Sequence, residues 1–111
     1  LALIENLEKM LADGQDSALL RYSLGSAYLK QGAPGLAREH LKMAVTLDPG
    51  YSAAWKSYAQ ALSALQELDA ACAAYETGIR AAEQKGDLQA AKEMKVFLQR
   101  LGKAAPGNAG D

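Results

Sequence analysis

The chain has 111 residues with 12 basic and 13 acidic side chains; that length fits one domain, and a near-neutral chain without a basic run argues against a nucleic-acid surface. Its β-branched residues are Ile4, Val45, Thr46, Thr77, Ile79 and Val96, too few for a sheet, because strands favour such side chains. No apolar stretch reaches the roughly 20 residues that cross a bilayer and no signal-peptide pattern is visible, so no membrane insertion and a cytoplasmic location are expected.

Gly and Pro punctuate segments with 3.6-type apolar spacing, and six helices follow. The first, about 2–13, carries Leu3, Leu7 and Met10; its Glu5 and Glu8 share a face and read as solvation. The second, 17–31, can be capped by Asp16-Ser17. The third, 34–47, opens on Pro34, whose missing N–H is harmless in a first turn. His40 precedes core residue Leu41 there and is expected at the solvent edge. The fourth, 51–65, holds Trp55, and the fifth, 69–85, holds Cys72, expected to act as a small buried hydrophobe. The sixth, 88–101, follows the capping residue Asp87, and residues 103–111 lack a core-forming side chain and should be a disordered tail. Gly32 and Gly86 suit the left-handed conformation that ends many helices.

Shifting the chain against itself by 34 residues aligns large residues with large and small with small. Leu24-Gly25 falls on Tyr58-Ala59, Tyr28 on Leu62, Ala37 on Ala71, Leu41 on Tyr75 and Ala44 on Gly78. The first unit, Leu24-Gly25-x2-Tyr28 followed by Ala37-x3-Leu41, Ala44 and Pro49, resembles the tetratricopeptide repeat (TPR), with Arg21 in place of the usual Trp. The second unit restores that Trp as Trp55 but has Glu83 for the closing Pro and Gln66 where the first has Gly32. The resemblance implies an all-α fold of antiparallel helical hairpins stacked in a right-handed superhelix, the small residues letting helix axes approach to about 8–9 Å. One domain over 1–102 is expected: a flanking helix (1–13), repeat 1 (17–50), repeat 2 (51–85) and a capping helix (88–101). By register the first helix is a B helix without its A partner. The sixth is an A helix whose Lys95 stands where Gly25 and Ala59 were small, as suits a charged terminal cap.

The chemistry for catalysis is thin. One His and one Cys make no metal quartet, no phosphate-cradling glycine motif is present, and neither a catalytic residue nor a cofactor is expected. What the resemblance implies instead is a protein or peptide partner in the concave groove lined by the A helices. Helical spacing from the core selects Leu19, Tyr22, Ser26, Leu29 and Lys30 on the second helix. It selects Lys56, Gln60 and Ser63 beside Ala53 and Ala64 on the fourth, and Lys92 and Val96 beside Gln89 and Gln99 on the sixth. Some relatives clamp the C-terminal carboxylate of chaperones with Lys, Asn and further basic side chains. Tyr22, Ser26, Ser57, Gln89 and Glu93 occupy those places here, so that clamp is absent. The expectation is a non-catalytic interaction module, monomeric or a weak homo-oligomer. The competing one is a structural, self-associating fragment of a larger assembly or envelope protein.

Overall fold

The computed structural model describes residues 2–102; the tail expected at 103–111 lies outside the described residues. Six helices follow one another: α1 (Ala2–Ala12), α2 (Ala18–Lys30), α3 (Pro34–Leu47), α4 (Ser52–Ala64), α5 (Leu68–Lys85) and α6 (Leu88–Arg100). Their starts are set locally. The Ser17 hydroxyl accepts from the Leu20 N–H at 3.1 Å, the Asp87 carboxylate accepts from the Ala90 N–H at 3.2 Å, and Pro34 sits in the first turn of α3. Each side-chain oxygen satisfies a donor that the helix itself leaves unpaired.

The turn inside each hairpin passes through a left-handed residue. In the first it is Gly32, φ 81°; in the second it is Gln66, φ 63°. The same backbone bond closes both turns: Ala33 N–H donates to Tyr28 C=O, and Glu67 N–H to Leu62 C=O, each at 2.9 Å. Gln66 therefore holds a conformation that disfavours a Cβ, a strain the first hairpin avoids by having glycine.

The helices pack as two hairpins, α2 on α3 and α4 on α5, with α3 against α4 joining them, α6 against α5, and α1 against α2. Helices α2, α4 and α6 also touch in sequence and form one layer. The small residues act where the pattern requires them. A Cβ on Gly25 would lie 2.3 Å from Leu41 Cγ, and one on Gly78 would lie 2.7 Å from Trp55 Cβ. Ala37, Ala59 and Ala71 are fully buried. Over this close contact Leu62, Tyr75, Ile79, Met94 and Leu98 fill the core of the second hairpin and α6, while Leu41 packs with Ala37, Ala61 and the partly buried Tyr22, Tyr28 and Tyr58. Trp55 donates its indole N–H to the Pro49 carbonyl at 2.8 Å, which ties α4 to the turn before it. Cys72 is buried, 5% exposed. Lys95 pairs with Glu83 at 3.0 Å on the outer face of α6.

Candidate partner-binding groove

Where α2 and α4 lie side by side they leave a groove of about 440 Å³. Tyr22, Ser23, Ser26, Leu29 and Lys30 line it from α2, Ser57 and Gln60 from α4. Five of these, Tyr22, Ser26, Leu29, Lys30 and Gln60, are residues that helical spacing selects. Ser23 and Ser57 are not, although they stand 34 residues apart and self-comparison pairs them. Each helix offers this face because its opposite face is committed to the core: Leu20, Leu24 and Gly25 on α2, and Ala54, Ala59, Ala61 and Leu62 on α4, are buried.

The groove has one rigid aromatic wall. Tyr22 packs on Tyr51, ring centroids 5.0 Å apart and planes tilted by 41°, and also touches the core around Ala44, Val45 and Ala54. Ser23 donates its hydroxyl back to the Leu19 carbonyl at 2.9 Å. The Ser26 Oγ is buried and meets no hydrogen-bond partner among the described residues. Lys30 is exposed and forms no ion pair among them.

Lys56 differs from its expected role as an offered charge. Its Nζ lies 2.9 Å from Glu93 Oε1 of α6 and 5.8 Å from the Phe97 ring centroid. The Lys56 bond, with a second from Gln89 at 3.2 Å, holds the Glu93 carboxyl below its ordinary range. Phe97 in turn stacks on Tyr75, centroids 5.8 Å apart. Lys56 thus fastens α4 to the next A helix. Lys92 is one register further on, and no helix follows α6 among the described residues. Lys92 lines a separate hollow with Glu83, Leu88, Gln89, Ala91 and Lys95 at that end of the described stack. Leu19 and Val96 are exposed and Ser63 is half-buried, and none of the three lines the groove.

His40 is not at the solvent edge. Its side chain is 12% exposed and stacks on Tyr28, centroids 5.6 Å apart and planes within 4°. Arg21, which grips Asp16 through two bonds of 2.8 and 2.9 Å, also reaches His40 Nδ1 at 3.2 Å. An arginine only donates, so Nδ1 accepts and the ring is neutral with its proton on Nε2. That nitrogen faces Glu8 Oε2 at 3.7 Å, and Tyr28 donates its hydroxyl to the same oxygen at 2.5 Å. Burial pushes the His40 pKa down and Arg21 adds to this, while Glu8 opposes it. Glu8 is therefore an anchor between α1 and the first hairpin rather than plain solvation. Among the described residues no group of His, Cys, Asp and Glu is placed to hold a metal ion, and no helix is long and apolar enough to cross a membrane.

Stacked hairpins, a small residue at each close contact and a groove along the A-helix layer define a helical-repeat protein of the tetratricopeptide class. A tetratricopeptide-repeat family model matches residues 18–61. The chain is 50% identical over 102 residues to a TPR repeat-containing protein of Pseudomonas aeruginosa, covering 92% of this chain and 97% of that one. The solution structure of a protein from Bordetella parapertussis superposes with a TM-score of 0.80 at 42% identity, over 92% of this chain and 89% of the other. The chain belongs to the tetratricopeptide repeat family, whose general role is protein–protein interaction.

Proposed function

We propose that this protein is a non-catalytic interaction module that holds a peptide or partner helix in the groove between α2 and α4. One observation carries this: the groove juxtaposes an aromatic wall, Tyr22, with polar side chains not taken up by neighbours among the described residues, Ser26, Lys30, Ser57 and Gln60. An apolar anchor within a polar, wettable lining is the usual make-up of a recognition surface. Among the described residues no serine of that lining is hydrogen-bonded to Lys30 or to another base, so binding rather than turnover is the chemistry it supports. The cytoplasm is the expected compartment. The clamp for chaperone C-termini has no counterpart in Tyr22, Ser26 and Ser57, so the partner is of another kind.

Gln60→Trp fills the groove without touching the core. It should reduce capture of the partner at least tenfold, with helicity unchanged by circular dichroism. Lys42→Glu, on the opposite layer, should leave capture intact. Equal capture by the parent and Gln60→Trp would remove the groove from the account. Concentration-dependent mass in sedimentation that Gln60→Trp leaves unaltered would favour the self-associating structural alternative.

A further inference from the structure

Lys30 stands where two hollows meet. One is the polar groove of α2 and α4. The other, about 350 Å³, lies between α1 and α2 and is lined by Leu3, Ile4, Ala27, Lys30 and Gln31. Lys30 is the residue common to both. The second hollow is mostly aliphatic, and its Leu3 is 60% exposed.

Charge singles out the occupant. Glu93 neutralises Lys56, which among the described residues leaves Lys30 as the unopposed cation along the groove. The neighbouring polar groups, Ser26, Ser57 and Gln60, carry hydrogen-bond donors, and the Ser26 hydroxyl has no partner among the described residues. A helical ligand has its backbone carbonyls tied up in its own bonds. An extended segment has them free and meets the donors better.

We propose that the Lys30 junction is a specificity subsite for an extended peptide with an acidic side chain close to an aliphatic one. The carboxylate meets Lys30, the aliphatic side chain enters the hollow formed by Leu3, Ile4 and Ala27, and the backbone runs on past Ser26, Ser57 and Gln60. This rests on the groove being the binding surface and adds α1, outside the repeat pair, to the recognition surface. In an extended chain, residues two apart lie on one edge, so acid and aliphatic residue are expected at that spacing.

The probe is the peptide Ser-Leu-Ser-Glu-Ser-Leu-Ser, carrying an uncharged fluorophore at one end and blocked at the other so that no further charge competes, with Gln and Lys versions at its centre. Leucine on both sides of the acid makes the result independent of chain direction. By fluorescence anisotropy the Glu peptide should bind about tenfold tighter than the Lys peptide, roughly one attraction exchanged for one repulsion at a partly exposed site. Lys30→Glu should invert that preference, which a merely misfolded variant cannot do. Leu3→Ser, or Ser for both peptide leucines, should each weaken binding about fivefold, and together by little more than either alone. Gln60→Trp should weaken every peptide. If the three centres bind equally while Gln60→Trp still weakens all of them, the subsite is wrong and the groove stands. If Gln60→Trp changes nothing, or no peptide binds, the subsite falls together with the groove.

Discussion

Gly25→Ala asks whether the close approach of α2 and α3 is what the glycine is for. The new Cβ would lie 2.3 Å from Leu41 Cγ and 2.6 Å from Cδ2. Leu41 is fully buried, and Cγ is its branch point rather than a loose end, so the core must shift. Overpacking of this kind costs up to about 3 kcal/mol, while alanine's better helix propensity offsets about 1 kcal/mol. The net expectation is a loss of about 2 kcal/mol, which for a domain of this size lowers the melting temperature by about 10 °C. Urea and thermal unfolding followed by far-UV circular dichroism and by the fluorescence of Trp55, the one tryptophan, measure it. Gly35→Ala is the control. That glycine also lies in a helix but has open space around its Cβ position, and the change should stabilise by about 0.4–1 kcal/mol. Leu41→Ala alone should cost about 2–5 kcal/mol, and combined with Gly25→Ala it should cost clearly less than the sum, since the two changes relieve each other. A Gly25→Ala protein as stable as the parent, or strict additivity with Leu41→Ala, would refute the packing argument.

Three further outcomes follow from local features. Gln66→Gly removes a Cβ from a left-handed position (φ 63°) and should raise stability by about 1 kcal/mol, read as a shift in the urea midpoint at constant slope. The His40 ring protons, followed by NMR, should titrate below the ordinary histidine value of about 6.5, and Glu8→Gln should push the pKa lower still because Glu8 opposes the shift. With the folded value depressed, the unfolded chain binds more protons as pH falls below about 6.5. The contribution of neutral His40 is thus full above that pH and is lost as pH drops through the depressed folded value. Amide exchange should be fastest in α1, which has no buried residue and packs chiefly on α2, and slowest in the buried stretches of α3 and α5.

The hairpins were legible because close packing writes itself into the sequence as fixed spacing. Gly25 against Leu41 and Gly78 against Trp55 are contacts within or next to a repeat, and only small side chains fit there. The capping residues Ser17 and Asp87 act locally and were equally plain. Contacts between repeats were not legible. Lys56 looked like a groove cation because its partner, Glu93, lies a whole repeat away and depends on how far α6 rotates against α4. His40 looked solvated because the residues that cover it, Glu8, Arg21 and Tyr28, come from two other helices. Lys92 shares the register of Tyr22 and Lys56, but on α6, the last described helix, that register lines a separate hollow with Glu83 and Lys95. Helical spacing from the core does not select Ser57 for the groove; its 34-residue pairing with Ser23 is the signal that finds it.

A photo-crosslinking amino acid placed at Gln60, and separately at Lys42 on the opposite layer, tests the central claim most directly. Activated in living cells and read by mass spectrometry, it should yield a defined protein adduct from position 60 and none from position 42. An adduct from position 42 alone, or from neither position, would contradict the account.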